Sequence, residues 1–353
     1  MYLNYYVIII FKNYINIFII LKIMSLNNFG YQIIKVLSKG AFANIYLVSN
    51  IVTSKKYTAK EIQKKYLSNP KAKKYVDSEI SILKDVNHPN IIKLIDIKES
   101  SNNVYIITEY CNGGTLEEYL DKYKKFSEEI VQHIMKQVIE AMKYLFNKKI
   151  IHRNINLDNI LIDYDDENDK NNNNIMKGRI KIMDFGYARY LKKGELAKSV
   201  LGSPVFMSPI IINKFNEEPA YKEIEYDEKE DIWSLGIICY VLLIGIFPFD
   251  PQSMKELLDE INKGDYFVPT TLSQESISFL NCMLQFDPKK RLSLDKLYKH
   301  KFLRRNVNEF NKIDINELKN ITILDNSKIL INTKDNQNII DNFGVGIEES
   351  III

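Results

Sequence analysis

The sequence predicts an α+β protein in which a strand-rich first third precedes a larger helical part. Three observations lead there. β-Branched and aromatic residues alternate with polar ones over residues 31–48, and apolar strand-like runs return around 57–60 and 104–109. Apolar residues then recur at helical spacing near residues 116–122 and 127–146, and the run from Asp231 to Leu243 is apolar enough for a buried helix. At 353 residues and 46% hydrophobic content, the chain can fill a two-lobed core with tails to spare.

Charge and cysteine usage exclude several classes. A formal charge of +3, with no repeat and no basic stripe, argues against a nucleic-acid partner. Cys111, Cys239 and Cys282 sit in apolar runs without metal-ligand spacing, so they read as reduced core thiols of an intracellular, cytoplasmic protein. Asn, Ile, Lys and Tyr are enriched throughout, so a single Asn is not by itself a sign of function.

Residues 1–23 are strongly apolar and about as long as one membrane span. Lys12, Asn13 and Asn16 fall in the middle, and a central Lys costs about 2.5 to 3.5 kcal/mol on insertion scales. No basic start or small-residue cleavage site marks a signal peptide. Met24 opens MSLNNFGYQIIKVLSKG directly before the first strand. Two readings stand: a membrane-associating segment, and an extension absent from the working protein.

Within residues 31–48, two strands are joined through Ser38-Lys39-Gly40-Ala41-Phe42-Ala43. Glycine at 40 and small side chains at Ser38 and Ala43 let the backbone approach a ligand. Lys60 lies in an otherwise apolar strand and needs a partner. After the basic segment 64–74, a helix over 75–84 offers Glu79 on the face shared with Leu83. His88-Pro89-Asn90-Ile91 reads as a turn, and the strand 104–109 ends in Tyr110-Cys111-Asn112-Gly113-Gly114. Past the helix over 127–146 comes a short polar loop between apolar runs, Ile151-His152-Arg153-Asn154-Ile155-Asn156-Leu157-Asp158-Asn159-Ile160-Leu161. Residues 164–177, YDDENDKNNNNIMK, read as a polar, solvated insert between two strands. The second of these, over 179–183, leads to Asp184-Phe185-Gly186. Residues 305–353 form an Asn/Ile/Lys-rich tail without clear period, read as disordered or as a docking tail.

The polar loop resembles the catalytic loop of eukaryotic protein kinases, H-R-D-L-K-x-x-N, and Asp184-Phe185-Gly186, which begins 25 positions after Asn159, resembles their D-F-G. Residues 38–43 are similar to the G-x-G-x-x-G-x-V phosphate loop with only Gly40 kept. Gly202-Ser203-Pro204-Val205-Phe206-Met207-Ser208-Pro209 is similar to G-[ST]-P-x-[YF]-M-[AS]-P-E of Ser/Thr kinases, including calmodulin-dependent ones. Asp231-Ile232-Trp233-Ser234-Leu235-Gly236 resembles the opening of the family's central helix, whose Asp ties down the catalytic-loop backbone. The resemblance covers about residues 29–304. It implies the two-lobed protein kinase fold: a small β-rich N-lobe with one regulatory helix at about 29–108, a hinge at 109–114, and a larger helical C-lobe at 115–304.

It also implies ATP and Mg²⁺ as cofactors. Nucleotide contacts then fall to Ser38, Gly40, Ala43, Ile45, Lys60, Thr108, Glu109, Cys111 and Leu161. The backbone of Glu109 and Cys111 would take adenine, Thr108 would guard the back of the pocket, and Lys60 would pair with Glu79. Asn159 and Asp184 are the implied magnesium ligands, since magnesium takes hard oxygens and keeps waters.

Beyond the phosphate loop, three positions depart from the pattern. Asn154 stands where the family has the Asp that receives the substrate hydroxyl proton. Asn156 replaces the Lys near the transferred phosphate. Ile210 replaces the Glu that makes a buried ion pair with an Arg matching Arg291; either Arg291 is re-solvated or Glu217 or Glu218 substitutes. Asn154 can orient a hydroxyl but cannot take its proton, and losing a general base costs about 10² to 10⁴ in rate. The expectation is an ATP/Mg-binding pseudokinase acting on a partner protein as scaffold or allosteric regulator. The alternative is an active Ser/Thr kinase of reduced rate acting on a protein substrate, for which Ser203 resembles the residue typical of that specificity. Membrane contact would run through residues 1–23.

Overall fold

Period-2 alternation in the first third produces an antiparallel sheet. The computed structural model describes residues 26–40, 42–190, 204–216, 227–249, 254–304, 321–325 and 328–332. The chain divides into two compact units, one of residues 1–85 with 92–110 and one of residues 86–91 with 111–353. The first carries β1 (Tyr31–Lys39), β2 (Ala43–Asn50), β3 (Lys56–Gln63), helix α1 (Pro70–Asp85), β4 (Leu94–Glu99) and β5 (Asn103–Glu109), with sheet order β1-β2-β3-β5-β4. Opposed residues share a face of a sheet. One face gathers Tyr31, Tyr46, Val48, Ala59, Tyr105 and Ile107, covered by Leu26 and Phe29. Glu61 closes this face, accepting from Asn44, Tyr46 and Asn103 at 3.0 Å each.

The second unit follows as β6 (Gly114–Thr115), α2 (Leu116–Tyr123), α3 (Glu128–Asn147), β7 (Ile150–Ile151), β8 (Ile160–Asp163), α4 (Glu167–Asn171), β9 (Arg179–Ile182) and β10 (Arg189–Tyr190). It continues with α5 (Pro209–Asn216), α6 (Glu228–Ile244), α7 (Met254–Lys263), β11 (Asp265–Pro269), α8 (Gln274–Met283), α9 (Leu294–Tyr298), α10 (Lys301–Arg304), β12 (Ile321–Asp325) and β13 (Lys328–Asn332). Sheet and helices together give the expected α+β class.

Local chemistry starts and stops these helices. Thr115 caps α2 with a reciprocal Glu118 contact, and Ser127 caps α3. Helix α3 buries one stripe, Val131, Ile134, Met135, Val138, Ile139, Met142 and Leu145. Helix α6 is apolar on all sides and correspondingly buried. It ends at Gly245 with φ 91°, where an added Cβ would lie 2.5 Å from the Lys124 carbonyl, so only glycine fits.

Two readings need correction. The insert 164–177 is not simply a solvated loop: it contains α4 and a short 3₁₀ turn at Ile175–Lys177, with Tyr164 and Ile175 buried. Asp166 supplies the cap for α4, accepting from Asn168 N at 2.7 Å, a turn signal hidden in the low-complexity run. The tail is not structureless over its two strands, where β13 pairs with both β12 and β11. The apolar run Ile329-Leu330-Ile331 is the strand signal there. Residues 1–23, Ser203, Glu217 and Glu218 lie outside the described residues. Among the described residues, no helix is long and apolar enough to cross a membrane.

Candidate functional site

Register in the first unit collects the nucleotide candidates on the face opposite its aromatic core. Ile45 stands directly across from Lys60, Thr108 from Thr58, and Ala43 from Ile62. Because Thr58, Lys60 and Ile62 alternate along β3, all three partners share the Lys60 face. Lys60 Nζ donates to both carboxylate oxygens of Glu79, at 2.7 and 2.9 Å. Glu79 is held on the buried stripe of α1 with Ile82 and Leu83. Its side chain is 6% exposed and that of Lys60 26%, so the lysine keeps an open side.

Ser38 lies near the end of β1 opposite Ile45, Ala43 opens β2, and Gly40 stands between the two strands. Gly40 N donates to Ala43 O at 2.8 Å, and a Cβ on Gly40 would lie 3.1 Å from that carbonyl. Phe42, 65% exposed, stacks edge-on against Tyr66 at 5.4 Å. Sequence reasoning missed this contact; the aromatic at the loop tip was its one signal. Glu109 ends β5 in the first unit and accepts from Lys93 N at 2.8 Å. Cys111 is buried in the second.

In the second unit the loop 151–161 is fastened from α6. Asp231 accepts from His152 N and Arg153 N, at 2.9 Å each. Arg153 takes φ 64° and donates Nε to Tyr187 O at 2.7 Å. Burial lowers the His152 pKa, and its contacts fit a neutral ring: Nε2–H donates to Met183 O at 3.1 Å while Nδ1 accepts from Asn154 N at 3.4 Å. Ile155 is buried, and Leu161 lies across from Thr115 and Lys181.

Three asparagines meet in this loop. Asn156 caps the turn Leu157–Asn159, its Oδ1 accepting from Asn159 N at 3.0 Å. Its Nδ2 donates to Asn154 Oδ1 at 3.4 Å, and Asn159 Nδ2 donates to Asn154 O at 2.8 Å. Met183 N donates to Asn159 O at 2.9 Å, which carries Asp184 next to the loop; Asp184 itself has φ 60°. With the Asn159 amide nitrogen engaged, its Oδ1 is left as a hard oxygen, and Asp184 supplies a carboxylate. That donor set fits magnesium, and the paired Lys60 fits a phosphate. The candidates thus divide between the units: Ser38, Gly40, Ala43, Ile45, Lys60, Glu79, Thr108 and Glu109 in the first; Cys111, Asn154, Asn156, Asn159, Leu161 and Asp184 in the second.

Arg291 resolves differently from either expectation. Its counter-charge is Glu230, 3.5 Å away on the first turn of α6, with both side chains buried. The guanidinium also donates Nε to Gln285 O at 2.8 Å and Nη1 to Lys229 O at 2.7 Å, and lies 5.1 Å from the Trp233 ring. Burial raises the Glu230 pKa and lowers that of Arg291, and the charge of each opposes the shift in the other.

A family model described as "Protein kinase domain" matches residues 31–303. A serine/threonine-protein kinase SIK3 homolog of Danio rerio is 30% identical over 276 residues, covering 78% of this chain and 21% of that protein. The serine/threonine-protein kinase ULK1 of Homo sapiens is 37% identical over 245 residues, covering 69% of this chain and 22% of that protein. The chain therefore spans about a fifth of each relative's length. With the five-stranded sheet unit, the helical unit and a family match over most of its length, the chain belongs to the protein kinase domain family.

Proposed function

We propose that the chain binds ATP with magnesium and transfers phosphate very slowly or not at all, acting on a partner protein as a scaffold or allosteric regulator. The observation that carries this reading is Asn154: an amide stands where a hydroxyl proton must be received, and its oxygen already accepts from Asn156. Bound ATP and magnesium supply the phosphoryl group and the cation that neutralises its charge. Lys60, oriented by Glu79, would hold phosphate, and Asn159 Oδ1 and the Asp184 carboxylate would hold the metal. Asn154 orients without accepting a proton, and Asn156, a neutral amide whose oxygen caps the turn, brings no positive charge to the phosphate.

The second reading, a serine/threonine kinase of reduced rate, is favoured by the formed Lys60–Glu79 pair and by the names of the relatives. Phosphate transfer to a generic basic protein substrate, compared between the native chain and Asn154→Asp, separates the two. A general base contributes about 10² to 10⁴ in rate, so the variant is expected to gain about 10²-fold. Equal rates well above background would establish the second reading. Absence of thermal stabilisation of the native chain by millimolar ATP with magnesium would refute both.

A further inference from the structure

The stretch 38–43, where β1 passes into β2, is held from outside itself. It keeps glycine only at 40, and serine at 38 and alanine at 43 leave the backbone fewer conformations than glycine would. Gly40 N is committed to Ala43 O at 2.8 Å, which fixes its base. Beyond that bond stands Phe42, a large apolar side chain 65% exposed, whose ring meets Tyr66 edge-on at 5.4 Å and 68°. Tyr66 makes a firm seat. It lies half-buried on the 3₁₀ turn Lys64–Ser68, which is tied to the sheet by Lys64 N donating to Asn102 O at 2.8 Å and closed by Asn69 N donating to Tyr66 O at 3.2 Å. Lys65 Nζ, 4.9 Å from the centre of the same ring, adds a cation contact. The turn continues directly from β3, so residues 60–66 carry both the lysine paired with Glu79 and the seat for Phe42. All of these residues belong to the first unit.

We propose that Tyr66 is a positioning residue for nucleotide phosphates: by seating Phe42 it pre-sets residues 38–43 for the polyphosphate chain, so that less ordering is left to occur on binding. The proposal rests on the nucleotide-binding reading above and deepens it. Tyr66 touches no phosphate and acts through Phe42. A single ring pair at an exposed site is weak enough to open and close, so it tunes phosphate affinity by a factor of about five instead of gating entry. A nucleoside brings no phosphate to the loop and is indifferent to the contact.

Isothermal titration with Mg·ATP and with adenosine tests this on the native chain, Phe42→Ala, Tyr66→Ala, the double variant and Tyr66→Phe. Each alanine variant is expected to lose about fivefold in ATP affinity with adenosine affinity unchanged. The double variant should lose no more than either single one, because the two rings act as one contact. Tyr66→Phe keeps the ring and should restore the native ATP-to-adenosine ratio. Phe42→Ala, at an exposed position, leaves the fold intact and carries the test even where Tyr66→Ala does not fold. A ratio unchanged in Phe42→Ala or in a folded Tyr66→Ala, or losses that multiply in the double variant, overturns the proposal while leaving nucleotide binding intact. Absence of any nucleotide binding by the native chain overturns both together.

Discussion

At the scale of single residues, a buried guanidinium shows how the molecule compensates for a lost partner. Ile210 offers Arg291 no charge, and the carboxylate comes instead from Glu230, 61 positions before Arg291 in the chain. Breaking a buried pair leaves an uncompensated charge, at about 3 to 5 kcal/mol. Glu230→Gln keeps the shape and removes the charge, so chemical unfolding should show a loss of about 3 kcal/mol. Glu129→Gln, at an exposed position on the first turn of α3, should stay within about 0.5 kcal/mol, as surface substitutions usually do. Equal effects would mean that the carboxylate is not the counter-charge. Glu230 was illegible in the sequence because nothing local marks it. The contact depends on how α6 meets the 3₁₀ turn Pro288–Lys290.

At the scale of elements, the end of the helical unit is fastened by an imidazole. His300 Nδ1 accepts from Phe302 N at 3.2 Å in the first turn of α10, and its Nε2–H meets Ser278 Oγ of α8 at 3.1 Å. The bond accepted at Nδ1 requires the neutral ring, and burial pushes its pKa down to about 4. Since the unfolded chain takes up a proton near pH 6.5, this contribution is fully present above that pH. It is lost as pH falls from about 6.5 to about 4, amounting to about 3 kcal/mol. His152 shifts in the same direction by burial, so its contribution too is lost as pH falls below about 6.5. Urea midpoints measured between pH 7 and pH 4.5 should fall steeply for the native chain and less steeply for His300→Gln, whatever its stability at pH 7. A slope unchanged by the substitution would refute the assignment. Strands and helices with a clean period, such as β3, β5 and α3, were legible. Helix α4 was not, because its capping aspartate is hidden among other polar residues.

At the scale of the whole chain, the pairing of Lys60 with Glu79 and the meeting of Asn154 with Asn159 in one loop were readable from residue type and order. Relations set by tertiary packing or by the direction of an amide were not. The largest unread relation is the tail, since strand β13 lies beyond the residues matched by the family model, yet pairs with β11 from Asp265 opposite Asn332 to Pro269 opposite Lys328. Ile331 stands across from Tyr266, and both are buried. Tyr266 in turn packs edge-on against Tyr240 of α6 at 5.8 Å, and Tyr240 Oη–H donates to Phe267 O at 2.6 Å. The tail thus reaches the central helix through one strand. Removing residues 305–353 would unpair β11 and expose Tyr266; a buried Ile alone contributes about 1.5 to 3 kcal/mol. For a unit of this size that corresponds to a melting point lower by about 5 °C. Amide exchange should accelerate at Tyr266 and Val268 and stay unchanged at Lys60, in the other unit. Unchanged exchange along β11 would show that the tail strands do not hold it.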